Sequence, residues 1–418
     1  MAKAKYTTHL GMVDILPDES PKWRALENII HEEAAKFNFE EIRTPIMEQT
    51  ELIKRGIGQL TDIVTKEIFT FTKGDSNYVL RPELTAPVVR SYVENHLDQR
   101  GGSQKLYYIG PMFRAERPQK GRQRQFHQFG VEIIGSDNPV ADVECIAFMI
   151  RIYQRIGIKN FNLKLNSVGD PESRETYKAV LKNYLRPNFD KLSELSQNRL
   201  EKNPMRILDS KEPEDQEFIK NAPIISDYLN EESKAHFEQV CEMLSSLEIE
   251  YTLDPLLVRG MDYYTRTAFE LTSPDLGSQD ALAGGGRYDL LVEEIGGKPT
   301  PAVGFAAGME RLFIACEELD ISLATPKKVD VFIVSLGEEA RKWALQTLPK
   351  LREKGISSTM DYLDRSMRAQ MKDANRENAS YTLIVGDNEL EEGKFTLRNM
   401  KESEEAQLTL DDIISKLS

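Results

Sequence analysis

Cysteine is scarce in this chain: Cys145, Cys241 and Cys316 are the only three in 418 residues. Their spacing offers neither a zinc-ligand pattern nor a paired disulfide framework, so a reducing compartment is expected. Histidine is almost as rare, at five residues, and none stands in a metal-ligand pattern. No run reaches the roughly 18 to 20 apolar residues that a membrane span needs, and the opening MAKAKYTTHLGM has no apolar signal core. A cytoplasmic protein without a membrane partner is the expectation. Positive charge is also short: 54 Lys and Arg face 68 Asp and Glu, a net charge of −14. Such a surface repels polyanions in general, which excludes a DNA-coating protein yet leaves room for a local basic site. The chain lacks GxxxxGK(S/T), a strand-linked GxGxxG, HExxH and an EF-hand loop. Any ATP must be held by other means.

What is present reads as two or three domains. Ser20 and Pro21 suit a helix start, followed by Trp23, Leu26, Ile30, Ala34 and Phe37 at helical spacing. EEIRTPIMEQ reads as an edge or interface strand, because Pro45 cannot donate to a ladder. Residues 105–135 read as two strands joined by a long basic loop, and Phe161, Leu163 and Leu165 alternate with polar residues as a half-buried strand. Residues 171–252 turn acidic and helical in pattern, with no glycine between Gly169 and Gly260, as an inserted module would. Around 324–328, ATPKK reads as a linker, and strands and helices alternate beyond it as a small α/β domain. Pro349 falls inside the first of those helices.

Five cations between Arg114 and Arg124 face Glu116 alone, so GPMFRAERPQKGRQRQFHQFG is a local positive site on an acidic protein. A solvated hairpin tip explains the charge equally well. Strand parity weighs the other way: it sets Arg114 with Glu116, and Phe126 with Gln128, Gly130 and Glu132, on one sheet face. LRPELTAP adds Arg81, Glu83 and Thr85, which a turn before a helix also explains. VRGMDYYTRTAFEL packs Arg259, Tyr263, Tyr264 and Arg266 close together, which a packed strand pair also explains, although a guanidinium in such apolar company usually needs an anionic partner. AGGGRYDLL places Gly284, Gly285 and Gly286 before Arg287, either as a hairpin or as backbone that something approaches closely. In PAVGFAAGMERLFIACEE, a helix extended back to Gly304 would set Gly304 and Gly308 beneath Arg311 as an anion floor. His127 lies on the opposite parity from Gln128 and reads as a core or supporting group.

Together these segments resemble the class II aminoacyl-tRNA synthetases, most closely the histidyl-tRNA synthetase family, over nearly the whole chain. GPMFRAERPQKGRQRQFHQFG is similar to the second signature motif of the class and PAVGFAAGMERL to its third. The first helix with TPIME is similar to its first motif, at a dimer interface that includes Pro45. VRGMDYYTRTAFE and AGGGRYD are similar to two segments peculiar to the histidine enzymes. The resemblance implies an α+β fold: an antiparallel sheet flanked by helices in a catalytic domain over 1–325, interrupted by a helical insertion over 171–252, then an anticodon-binding α/β domain over 328–418. It implies a homodimer that uses ATP with Mg2+ to join histidine to tRNA(His). By the same likeness Arg259 and Arg114 are the catalytic cations, and Arg114, Glu116, Phe126 and Arg311 hold ATP. Glu83, Thr85, Gln128, Glu132, Tyr263 and Tyr264 bind histidine, while Arg117, Gln119, Lys120, Arg122 and Arg124 meet the tRNA acceptor end. The helix with Arg365, Arg368, Lys372 and Arg376 reads as a backbone contact near the anticodon or as a solvated face. Leu84 and Leu290 stand where the family usually has glycine, which puts bulk near the expected histidine pocket. The rival is a non-catalytic, synthetase-like regulatory subunit of ATP phosphoribosyltransferase. Such paralogues are expected to lack the motif arginines and the last domain, which are present here.

Overall fold

The computed structural model describes residues 4–58, 61, 63–323 and 328–418, with the side chains of 277–279 set aside. The chain divides into two compact units, Met1–Leu323 and Ala324–Ser418. Of the expected linker, residues 324–327 lie outside the described residues.

In the first unit the two alternating stretches form a hairpin, Gln104–Phe113 antiparallel to Gln125–Ile134, with unbroken register from Gln104 opposite Ile134 to Phe113 opposite Gln125. An eight-stranded sheet builds on it in the order Glu40–Glu41, Gln104–Phe113, Gln125–Ile134, Ala302–Gly308, Ala281–Arg287, Thr265–Thr272, Asn162–Ser167 and Thr252–Leu253. Its pairings are antiparallel except at the two edges, where the short end strands run parallel to their neighbours. The period-two pattern turns Phe129, Val131 and Ile133 to one face, where they pack with Leu26 and Ile30 of helix Ser20–Lys36 and Ile146 and Met149 of helix Pro139–Ile156. Each such side chain, fully buried, contributes about 1.5–3 kcal/mol. Asn138 starts the second of those helices by accepting from the Val140 N–H at 3.0 Å. Leu106, Tyr108, Met112 and Ile134 face the other way, against Val88 and Val89 of helix Thr85–Glu94 and Tyr177 and Leu181 of helix Pro171–Leu185.

The stretch expected as a helical insertion carries helices Pro171–Leu185, Glu194–Lys202, Pro213–Lys220 and Glu231–Ser246, joined by short 3-10 turns, and ends at the edge strand Thr252–Leu253. Asp170, Ser193 and Asn230 cap three of these helices through their side chains. Buried Asp215 ties the turns together, accepting from the hydroxyls of Ser193, Ser196 and Ser210 at 2.8, 2.5 and 2.5 Å.

The stretch expected as one strand around Pro45 is two short strands in different sheets, Glu40–Glu41 and Met47–Gln49, with the proline between them. A residue without an N–H interrupts the ladder rather than decorating its edge.

The second unit carries a five-stranded sheet ordered Ser358–Met360, Val329–Ser335, Ala379–Val385, Phe395–Asn399 and Glu405–Leu408; the first three run parallel and the last two join antiparallel. Helix Glu338–Glu353 continues through Pro349. The basic helix begins only at Met367, so Arg365 precedes it and is tied to Asp361 at 2.5 Å and to Asp373. Among the described residues of both units, no helix is long and apolar enough to cross a membrane.

Candidate active site

On the second face of the large sheet, strands Gln125–Ile134, Ala302–Gly308, Ala281–Arg287 and Thr265–Thr272 contribute residues to an open floor. A cavity of about 470 Å3 opens there, a size ordinary for small-molecule sites. Glu83, Thr85, Arg114, Glu116, Phe126, Gln128, Arg259, Tyr263, Tyr264 and Arg311 all line it. Five separate stretches of sequence therefore meet in one place.

Arg114 and Glu116 lie beyond the strand end at Phe113, so sheet parity does not align them as expected. The loop itself does: the Arg114 N–H donates to the Arg124 carbonyl at 2.9 Å, and its Nε to the Pro82 carbonyl at 2.9 Å. This holds the guanidinium 5.2 Å from the Phe126 ring centroid, leaving a flat apolar and cationic surface. Glu116 sits between Arg122 Nη1 at 3.1 Å and Arg114 Nη1 at 3.8 Å. Arg117, Gln119, Lys120 and Arg122 are exposed, with Lys120 paired to Glu318 at 2.7 Å, and Arg124 Nε donates to the Glu116 carbonyl at 3.2 Å.

Residues 302–308 form a strand and helix Met309–Glu318 starts after them, so Gly304 and Gly308 are not a helical floor beneath Arg311. A run of alternating small and apolar residues bonded on both sides stays extended. Arg311 donates from Nη1 to the Ala281 carbonyl at 2.9 Å, and burial lowers its pKa. Gly304 has a different use: a Cβ there would stand 1.8 Å from Glu132 Oε2. His127 is a supporting group, its Nδ1 3.0 Å from Glu310 Oε1 and its ring packed edge-on to Trp23.

The three glycines form strand Ala281–Arg287 rather than a hairpin turn. Gly284 clears space for Arg259, since a Cβ would lie 2.1 Å from Nη2 and 2.6 Å from Nη1. Arg259 has the anionic partner its surroundings demand: Nη1 meets Glu270 Oε2 at 2.6 Å, while its buried Nε has no hydrogen-bond partner among the described residues. Arg287 is fully buried and structural, 2.8 Å from Asp142 and bonded to the Ser136 and Asn138 carbonyls. Arg81 is also structural, donating to the carbonyls of Thr44, Pro45 and Pro111.

Deeper in, Glu83 accepts from the Thr85 and Ala86 N–H groups at 2.8 and 2.9 Å, so it caps helix Thr85–Glu94 and faces the cavity at once. The turn and the site are the same object. Thr85 Oγ1, Tyr108 and Tyr288 donate to the Glu132 carboxyl at 2.8, 3.2 and 2.5 Å. Glu132 is fully buried beneath Gly304 rather than on the lining; burial, with Glu83 nearby, pushes its pKa up to about 8. Gln128 Oε1 is buried without a partner among the described residues. Leu84 is buried in the apolar core and Leu290 is exposed; neither lines the cavity. Their extra bulk falls outside it.

Sequence reasoning missed Glu270, Tyr108 and Tyr288, and two insertion residues on the lining, Arg206 and Asp209. Tyr288 stood inside AGGGRYD in plain sight; the insertion residues carried no signal.

A family model described as histidyl-tRNA synthetase matches residues 11–312. The chain belongs to the histidyl-tRNA synthetase family. A second model, for an anticodon binding domain, matches residues 330–418. The histidine–tRNA ligase of Chloroherpeton thalassium is 50% identical over 417 residues, covering 99% of this chain and 98% of that one. The solved apo histidyl-tRNA synthetase of S. aureus superposes with a TM-score of 0.84 at 42% identity over 99% of each chain. A Bacillus halodurans structure described as an ATP phosphoribosyltransferase regulatory subunit/histidyl-tRNA synthetase gives 0.67 at 25% identity, over 92% of this chain and 99% of that one.

Proposed function

We propose that this chain is a histidine–tRNA ligase, which activates histidine with ATP to histidyl-adenylate and pyrophosphate and then transfers histidine to the 3′ end of tRNA(His). The carrying observation is the convergence of Arg114, Arg259 and Arg311 on one cavity with Glu83, Thr85 and Gln128. In the first step a histidine carboxylate oxygen bonds to the α-phosphorus and the bond to the bridging oxygen breaks, releasing pyrophosphate. Negative charge grows on the α-phosphate, and fixed guanidinium groups lower that barrier without moving.

Arg114 and Arg259 serve as those cations. Phe126 stacks on adenine, Glu116 reads its amino group, and Arg311 covers the other face. Glu83, Thr85 and Gln128 take the α-amino group. Tyr263, Tyr264 and, from beneath, Glu132 recognise the imidazole, whose two unlike nitrogens need one donor and one acceptor. Such a polar pocket rejects apolar analogues by factors on the order of 10⁴. Mg2+ belongs to the nucleotide substrate: hard, and content with phosphate oxygens, water and few carboxylates. Glu270 is the carboxylate on the wall beside Arg259 that would reach it.

Arg117, Gln119, Lys120, Arg122 and Arg124 present the exposed cationic loop to the acceptor end. The catalytic domain spans 1–325 with its insertion at 171–252, and residues 328–418 bind the anticodon, a division supported by the two family matches. A homodimer through the region of Pro45 is supported by exposed Ile46 and Met47 beside it. Three unpaired cysteines support a cytoplasmic setting. The regulatory-subunit reading is weakened by 50% identity to a histidine–tRNA ligase over 99% of the chain. Histidine-dependent exchange of labelled pyrophosphate into ATP tests the proposal. Exchange with histidine alone among the amino acids is expected; none at all, with histidine-dependent binding to an ATP phosphoribosyltransferase instead, defeats it.

A further inference from the structure

One wall of the cavity comes from outside the synthetase motifs. The 3-10 turn Pro204–Ile207, between helices Glu194–Lys202 and Pro213–Lys220 of the insertion, brings Arg206 to the lining, where Asp209 joins it. The Arg206 side chain is 19% exposed, and its Nη2 lies a loose 3.7 Å from the half-exposed Asp209 carboxylate. Its Nη1 is buried and has no hydrogen-bond partner among the described residues. That nitrogen reaches over Gly260, where a Cβ would stand 3.2 Å away. The guanidinium therefore lies against the chain segment that carries Arg259.

Its position is held, not incidental. From the same module, Asn203 donates to Asp262 Oδ1 at 2.8 Å and Arg174 Nη2 to the Asp262 carbonyl at 3.2 Å, while Arg174 Nη1 donates to the Tyr264 carbonyl. Arg174 is buried deeply enough that its pKa is lowered. Two residues of the module, Asn203 and Arg174, thus grip residues 262–264 and fix Arg206 at the cavity. A buried guanidinium N–H left without an acceptor weakens the folded state, and such groups occur where a ligand completes them. Arginine's planar fork matches phosphate oxygens, and the cavity already collects Arg114, Arg259 and Arg311.

We infer that Arg206 is a substrate-binding cation supplied by the inserted module, its Nη1 donating to a phosphate oxygen within the cavity. This rests on the ligase reading, which offers two sources of that oxygen: the phosphates of ATP and the terminal phosphodiester of the tRNA. The inserted helices then complete the site as well as flank it.

The test uses the full chain with Arg206→Ala and Arg206→Lys. Histidine-dependent pyrophosphate exchange is measured against ATP concentration, transfer from preformed adenylate to tRNA in a single turnover, and thermal melting alongside. Arg206→Ala is expected to lose about 10- to 100-fold, the range of one charge-assisted hydrogen bond, with melting unchanged. Arg206→Lys, which keeps the charge without the fork, recovers part of the loss. Loss in exchange assigns the phosphate to ATP; loss in transfer alone assigns it to tRNA. Both rates within about twofold of the unaltered protein overturn the inference, as does a loss accompanied by an equally lowered melting temperature in both variants. No exchange by the unaltered protein defeats the ligase reading instead.

Discussion

Glu132 is a carboxyl without water, and its three hydroxyl donors only partly offset that. Burial raises its pKa from 4.5 to about 8, and burial likewise raises that of Glu83. Between those values the folded protein keeps a proton that the unfolded chain has already released, so stability falls as pH rises through the window. The free protein's melting temperature is therefore expected to drop from about pH 5 to pH 8. Glu132→Gln should flatten the slope, leaving the share due to Glu83. Equal slopes in thermal scans of the two proteins would show that Glu132 is ionised throughout. The residue was legible in the sequence as a polar position on an alternating strand. Its depth was not, because depth depends on Gly304 from a strand some 170 residues later.

At the scale of elements, the strand Ala281–Arg287 shows why glycine text is ambiguous until neighbours are known. A hairpin and a vacated strand surface ask for the same residue, and only the arrival of the Arg259 guanidinium over Gly284 separates them. Gly284→Ala would press a methyl group into the far end of a side chain, which can swing away at small cost to stability. Activity should suffer more: kcat for pyrophosphate exchange is expected to fall by roughly 10²-fold, as on losing one preorganised transition-state contact, with little change in melting temperature. A normal kcat would mean that the guanidinium position is immaterial. The basic hairpin was readable from strand parity, although parity ended at Phe113 and the loop's own hydrogen bonds placed Arg114. The helix after Gly308 started later than expected because its preceding residues were bonded into the sheet on both sides.

For the whole molecule, a net charge of −14 sets a repulsive background against which exposed cations select where RNA can land. Affinity for tRNA should decline steeply with salt, and Arg117→Ala should reduce the slope of log K against log salt concentration by about 1. Binding that ignores salt would remove the loop from the interface. The second unit adds a separate sheet whose basic helix keeps fewer free cations than its sequence advertised, since Arg365 and Arg376 are paired with Asp361 and Asp373.

Sequence alone determined the alternation of strands, the helical character of most of residues 171–252, the family motifs and the chemistry of the side chains, because periodicity, caps and residue type are local properties. Tertiary structure decided which of those groups share a cavity, how deeply Glu132 sits, what the glycines make room for, and that an inserted helix turn closes the wall with Arg206. Those outcomes depend on contacts between residues far apart in the chain, and no local pattern encodes the distance between them.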